Sequence, residues 1–403
     1  MSLDSAPPVP SASSGRRKSP EEIHPVARTP EEWKQVLLAM GERPFRATQI
    51  FKWIHQRGVF DPSEMSDLSL PLREKLAAGG LKAPFEVADV KRSVDGTRKL
   101  LLQLDDGRMV ECVLIPMTDA VEEAVDADPC LADDDESESG PLRRVTLCIS
   151  TQVGCAMGCV FCASGQVGLL RALGAAEVVA QVLIAQRYLD PGETLRNLVY
   201  MGMGEPLHHY DETARSIRLI HHQQGIGMGL RRITVSTVGL IPGLRRLGED
   251  FGGKVGLAIS LHAPDDATRA QIIPMNQRFG FADLLAALRE YPLPARRRIT
   301  IEYILIRDVN DSVAQARQLA EALRGIAVKV NLIPMNPIAA SEFKAPIRKQ
   351  VRAFQEELAA AGLSCFVRTT RGDDVDAACG QLALADQKSG SGKRELPLLQ
   401  EGV

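Results

Sequence analysis

From residue 142 onward, short apolar runs rich in Val, Ile and Leu alternate with longer runs of helical period. The short runs predict strands at 145–150, 198–201, 233–237, 256–262, 299–306, 328–333 and 365–368. The longer ones predict helices near 175–188, 211–222, 239–247, 281–291, 313–324 and 347–361. Strands that alternate with helices build right-handed crossover units on a parallel sheet. Six or seven such units favour a full or partial barrel over a flat doubly wound sheet. In barrels the chemistry sits at the C-terminal ends of the strands.

The N-terminal part follows other rules. Thr29-Pro30-Glu31-Glu32 is a helix start, and Trp33, Val36, Leu37 and Met40 continue it with helical spacing. A second helix carries Ile50, Phe51, Trp53 and Ile54, and a third spans 71–78. Asp95-Gly96 and Asp106-Gly107 then punctuate strand-like runs between 86 and 116, which predicts a short antiparallel meander. The expected organisation is a disordered tail at 1–27, a helical RNA-docking domain at 28–84 and a β extension at 85–116. An acidic mobile insertion at 117–141, an α/β core at 142–384 and a loose tail at 385–403 complete it.

Composition narrows the class. Apolar residues make up 45% of the 403 positions, enough for a large core, but aromatics are only 4%, so that core is aliphatic. No apolar run is long enough to span a membrane and no secretory segment opens the chain, so a cytoplasmic monomer is expected. Eight cysteines in such a chain argue for metal or catalytic use over a disulfide scaffold. The net charge of −3 conceals an uneven distribution. Ten acidic residues fall between Met117 and Leu142, and the remainder of the chain is +7. Basic clusters then stand out at Lys91-Arg92, Arg231-Arg232, Arg296-Arg297-Arg298 and Lys344 with Arg348, Lys349 and Arg352. They are either solvated surface or a face that meets phosphates.

The densest chemistry is Cys155-Ala-Met-Gly-Cys159-Val-Phe-Cys162, directly after the first core strand. A structural zinc site would want four ligands, usually in two separated pairs. Three thiolates on a four-iron cluster leave one iron open, where ordinary clusters have four cysteines. Other polar residues end later strands: Gly204 and Glu205 in Gly-Met-Gly-Glu-Pro, Ser236, Ser260-Leu261-His262, and Asn336 in Pro-Met-Asn-Pro. Each alone reads as an ordinary turn, cap or core residue. Together they line one rim.

The Cys-x3-Cys-x2-Cys loop resembles that of radical S-adenosylmethionine enzymes. The resemblance implies a [4Fe-4S] cluster on Cys155, Cys159 and Cys162, with S-adenosylmethionine on the open iron, and a partial (β/α)6 TIM-like barrel. Thr369-Thr-Arg-Gly-Asp-Asp-Val-Asp-Ala-Ala-Cys379-Gly-Gln-Leu and Cys148-Ile-Ser-Thr-Gln-Val-Gly-Cys155 look more narrowly like the RlmN family of RNA methyltransferases, over about 29–384. The acidic insertion and Met335 depart from the usual pattern and touch no motif cysteine.

The resemblance implies methylation of adenine carbon 2 in ribosomal RNA and transfer RNA, with an external, flavodoxin-like electron donor. An electron-poor ring carbon between two nitrogens cannot attack a methyl cation, so radical addition is needed. Cys379 would carry a methyl group to adenine, and Cys148 would release the product through a transient disulfide. Glu111 would take the ring proton, a role Cys148 could share; otherwise Glu111 is an exposed position of a hairpin strand. Gly204, Glu205, Ser236, Ser260, Leu261, His262 and Asn336 would hold S-adenosylmethionine. Cys112, Cys130 and Cys365 match no family role. A Cfr-like carbon-8 enzyme shares the five cysteines, but the Arg-Gly-Asp-Asp motif and long helical N-terminus favour carbon 2. A non-catalytic iron–sulfur RNA-binding protein is the remaining alternative.

Overall fold

The computed structural model of the chain describes residues 18–117, 142–338, 341–368 and 370–382. The first helix, α1 (Pro30–Ala39), begins at a reciprocal cap. Thr29 accepts from the N–H of Glu32, and the Glu32 carboxylate accepts from the N–H of Thr29 at 2.8 Å. α2 (Arg46–His55) and α3 (Leu70–Ala78) follow, and Trp33, Leu37, Ile50, Phe51, Ile54 and Leu72 fill the core between them. Part of the expected tail is ordered. Pro25–Ala27 forms a 3-10 turn, with Ile23, Val26 and Ala27 buried. The Arg28 guanidinium ties the turn together through the carbonyls of Pro20 and Ile23, each at 2.9 Å. Three aliphatic side chains and an internal cation were enough to order a segment whose composition reads as tail.

β1 (Phe85–Arg92), β2 (Arg98–Leu104) and β3 (Met109–Pro116) form the expected antiparallel meander. This extension joins the main sheet. β3 pairs antiparallel with β4 (Arg143–Cys148), placing Val113 opposite Cys148, so the meander continues the main sheet. The reason is legible in hindsight: Val110 to Leu114 are all buried, which is the mark of a central strand.

From β4 the sheet runs parallel through β7 (Glu193–Tyr200), β8 (Ile233–Thr237), β9 (Gly256–Ser260), β10 (Ile299–Leu305), β11 (Val328–Pro334) and β12 (Cys365–Val367). Spatial order follows chain order without reversal, as in a barrel wall and unlike a doubly wound sheet. The crossovers carry α5 (Ala175–Ala185), α6 (Tyr210–His221), α7 (Ile241–Phe251), α8 (Asp266–Ile272), α9 (Phe281–Glu290), α10 (Val313–Ala322) and α11 (Arg348–Ala360). Among the described residues β12 pairs only with β11, so the barrel is partial.

Two features carry no periodic signal: the small hairpin of β5 (Gln152–Gly154) and β6 (Leu169–Ala172), and α4 (Ala163–Val167) between its strands. The acidic insertion and the last residues of the chain lie outside the described residues. Among the described residues no helix is long and apolar enough to cross a membrane.

Candidate active site

The cysteine loop follows β4 and β5, at the C-terminal ends of the parallel strands. Its backbone is fixed from three sides. Cys155 N–H donates to Gly168 of the β5–β6 hairpin at 3.0 Å, and Val160 N–H to Ile272 at the end of α8 at 3.1 Å. Ala163 N–H donates to Gly380 at 2.8 Å, and Ser164 Oγ to the carbonyl of Leu382 at 2.6 Å. Glycines permit this closeness. A Cβ on Gly165 would lie 2.9 Å from the Cys159 backbone, and one on Gly154 (φ +74°) would overlap the Gly168 carbonyl.

Burial pushes all three loop thiols up, Cys155 to about 12, and each is raised further by at least one other of the three or opposed by local donors. The N–H groups of Met157, Ser164 and Gly165 oppose the shift by donating to sulfur, and the positive charge of the buried Arg269 opposes it at Cys159. Among the described residues no three side chains converge on a single metal-ion position. The donor set fits a [4Fe-4S] cluster: three closely spaced thiols in a largely buried site, where a bound cation would favour their deprotonated form.

The Gly202–Glu205 turn at the end of β7 packs on the chain just past β4. Gly202 N–H donates to Ile149 and Met203 N–H to Ser150 Oγ, at 3.0 and 2.9 Å. Glu205 N–H donates to Gln152 Oε1 at 3.0 Å. The glycines serve this packing: a Cβ on Gly204 (φ +108°) would meet Gln152 Cβ at 2.6 Å. The Glu205 carboxylate is buried and accepts from the N–H groups of Leu207 and Val238, each at 2.9 Å. Burial raises its pKa to about 7, against those hydrogen bonds.

Ser236, one residue before the end of β8, and Ser260 at the end of β9 have their hydroxyls 3.5 Å apart. Leu261 is fully buried and donates its N–H to Glu302. His262 adopts a positive φ of 57°, and its Nδ1 accepts from the N–H of Ile304 at 3.0 Å. Burial, helped by Arg269, drops its pKa to about 3. The ring is therefore neutral and carries its hydrogen on Nε2. Phe161 of the cysteine loop meets this ring edge to face, with centroids 4.8 Å apart.

The C-terminal loop, 370–382, bridges the gap in the barrel and presents Cys379. It is held to the β1–β2 turn by Asp374 on Ser93 Oγ (2.5 Å) and by Gly372 N–H on Asp95 (3.1 Å). Asn336 donates to the Cys379 carbonyl at 3.0 Å and accepts from Thr370 Oγ1 at 3.1 Å. Cys379 is exposed on this loop, with Asn336 and the cysteine loop packed against its neighbours. That surrounding, with Glu302, pushes its pKa up, while Arg368 opposes. Cys148 is buried at the end of β4, its thiol also pushed up by burial and next by the charge of Cys379, so the two outlying cysteines share one electrostatic neighbourhood.

Glu111 is buried on β3, not at an exposed hairpin position, and its Oε1 lies 3.1 Å from Lys99 Nζ. The site thus gathers all thirteen expected residues at one end of the sheet, in differing roles. Leu261 and Gly204 act through packing, and Asn336 through the Cys379 loop. Sequence reasoning missed Gln152, Lys99 and Arg269. Gln152 stood inside the quoted cysteine motif; the other two had no local signal.

A partial barrel of this topology carrying this cysteine loop defines a radical S-adenosylmethionine enzyme. Residues 149–320 match the family model of the Radical SAM superfamily, and residues 28–79 match the model of the ribosomal RNA large subunit methyltransferase N-terminal domain. The chain is 57% identical to a dual-specificity RNA methyltransferase RlmN of Sorangium cellulosum, over 91% of this chain and 97% of that one. It is 45% identical to another of that name from Syntrophobacter fumaroxidans, over 87% and 94%. A crystal structure of a radical SAM methyltransferase from Sphaerobacter thermophilus superimposes with a TM-score of 0.79 at 41% identity, covering 89% of this chain and 98% of that one. The chain belongs to the RlmN family of radical S-adenosylmethionine RNA methyltransferases, a family that uses a [4Fe-4S] cluster and S-adenosylmethionine.

Proposed function

We propose that the chain methylates carbon 2 of adenosine in the peptidyl-transferase region of 23S ribosomal RNA and in transfer RNA beside the anticodon. The observation that carries this reading is the docking of the Cys379 loop onto the cysteine loop through Ala163–Gly380 and Ser164–Leu382, with Cys148 within electrostatic reach of Cys379. This arrangement supports reading Cys379 as the methyl carrier and Cys148 as its resolving thiol, beside the three-cysteine loop.

Cys155, Cys159 and Cys162 would hold the cluster, which with S-adenosylmethionine bound would supply one-electron, radical-generating chemistry. The chain's own residues do the rest. Glu205, Ser236, Ser260, Leu261 and His262 bound the S-adenosylmethionine site, with Gly204 and Asn336 shaping its walls. The Cys379 thiolate would take a methyl group from the sulfonium of one S-adenosylmethionine, whose neutral thioether leaves. That methyl would give one hydrogen atom to the 5′-deoxyadenosyl group of a second and one electron back to the cluster as its carbon bonds adenine in place of the ring proton. Glu111 accepts the ring proton, whose bonding electron pair stays in the base. The Cys148 thiolate then attacks the Cys379 sulfur. An S–S bond forms, the S–C pair passes to carbon, and that carbon takes a proton to become the product methyl.

The helical domain at 28–84 and the basic clusters engage RNA by shape and phosphate contacts. A reduced flavodoxin-like protein delivers electrons to a cytoplasmic monomer. Mass spectrometry of nucleosides from treated ribosomal and transfer RNA tests the reading. 2-Methyladenosine in both is expected; 8-methyladenosine alone would overturn it in favour of the Cfr-like reaction.

A further inference from the structure

We propose that Lys99 is a positioning residue that fixes the proton acceptor and the methyl-carrying loop in one frame. This rests on reading Glu111 as that acceptor. Lys99 lies on β2 and is 6% exposed. Its Nζ is 3.1 Å from Glu111 Oε1 and also donates to the backbone carbonyl of Asp376 at 3.1 Å. The register explains the first contact. Leu101 faces Glu111 across β2–β3, so Lys99 is a diagonal neighbour on the same face. The second contact reaches 277 residues along the chain, to a residue three positions before Cys379.

Three physical arguments give this contact a chemical purpose. A carboxylate only 4% exposed favours its neutral form unless a cation is in contact, and only the ionised form accepts a proton. A buried ion pair is a poor source of stability, because desolvation consumes most of its attraction. Its presence between the acceptor and the thiol loop is therefore better explained by what it does to Glu111. Lastly, Asp376 holds a left-handed φ of 51°, a conformation that aspartate visits more readily than most residues and that neighbouring contacts hold in place here. The Lys99 ammonium is one of those contacts. During proton transfer the adenine C–H bond breaks, its electron pair stays with the ring, and the proton passes to a Glu111 oxygen.

The test compares Lys99→Met, Lys99→Arg and Glu111→Gln in the full chain with its cluster rebuilt, given S-adenosylmethionine and RNA. Peptide mass reads methyl on Cys379, a denaturing gel reads covalent protein–RNA species, and nucleoside mass reads product. Lys99→Met is expected to keep methylated Cys379 and to accumulate the covalent species as Glu111→Gln does, with product formation down at least about tenfold. Lys99→Arg is expected to restore most of it. Normal turnover by Lys99→Met would overturn the proposal. So would loss of methylated Cys379 in Lys99→Met without restoration by arginine, which marks a scaffold role alone. Normal turnover by Glu111→Gln would instead overturn the reading of Glu111 itself, and the proposal with it.

Discussion

Asn336 donates its side-chain amide to the backbone carbonyl of Cys379, 3.0 Å away and 43 residues on. With Thr370 on its oxygen, the amide spends both ends on the loop that carries the thiol. Asn336→Ala should cost about 1–2 kcal/mol of stability, the range for a partly buried pair left unmade. Its larger effect should fall on methylation of Cys379. Iron content and the visible absorbance of the cluster should stay near those of the parent, while methyl on Cys379, read by peptide mass, should drop severalfold.

Arg269 offers a contrasting prediction. It is 2% exposed and its guanidinium donates to the carbonyls of Leu261, Ser260 and Val238, tying the ends of β8 and β9 together beside Cys159. Burial lowers its pKa only to about 10, so it stays charged at neutral pH. Arg269→Met keeps the bulk and removes the donors. Several buried carbonyls would lose partners at about 1–3 kcal/mol each. Urea unfolding should show a loss of that order, and iron per chain should fall as well, since the cation beside Cys159 is gone.

How much of this was legible beforehand divides by distance along the chain. The core strands were readable because each is a local apolar run, and the three-cysteine loop because its ligands are eight residues from end to end. The meander of β1 to β3 was readable from its turn dipeptides, but its pairing with β4 was not, because β4 lies beyond the acidic insertion and nothing local announces that contact. Gly204 was readable as a position that needs freedom, but not that Gln152 fills the space. Lys99 and Arg269 act on carbonyls brought in by other segments, so neither leaves a periodic or motif signature. Asn336 was found by its motif and placed on the rim, while the loop it holds depended on tertiary contact.

The acid limb of stability should carry the signature of His262. Its pKa falls from the ordinary 6.5 to about 3 in the folded chain. A base with a depressed folded pKa binds fewer protons folded than unfolded in that window. Its contribution is therefore complete above pH 6.5 and is lost as pH falls toward 3, by about 1.4 kcal/mol per unit at most. Glu205 runs the other way: with its pKa raised from 4.5 to about 7, its protonation favours the fold as pH falls through that interval. His55, also lowered to about 3, adds to the His262 trend. His262→Asn isolates the residue, because asparagine keeps an acceptor for Ile304 N–H and tolerates the positive φ. Between pH 7 and 5 the urea midpoint of this variant should fall less than that of the parent. Equal slopes would show that His262 is not held neutral.

Gly204 provides the most direct test of how the site is built. Its Cβ position is occupied by Gln152 Cβ at 2.6 Å, Cγ at 2.7 Å and N at 2.8 Å, and its φ of +108° lies where side chains are strained. Gln152 cannot simply withdraw, because its Oε1 accepts from Glu205 N–H and its Nε2 contacts His208 Nδ1 at 3.2 Å. Gly204→Ala should therefore push the Gly202–Glu205 turn away from the residues before Cys155, costing about 2–4 kcal/mol for strain and overpacking together. The displacement would carry Glu205 away from Leu207 and Val238 N–H groups and loosen the chain leading into the cysteine loop. Thermal unfolding should report the lost stability, and isothermal titration with S-adenosylmethionine on the cluster-loaded protein should report weakened binding. A companion Gly204→Ala/Gln152→Ala variant removes the Gln152 side chain beyond its Cβ. It should recover part of the stability, since the Cγ contact goes, but not the binding, since the Glu205 N–H then lacks its acceptor. Recovery of both would mean that Gln152 only fills space, and that Glu205 is placed by β7 alone.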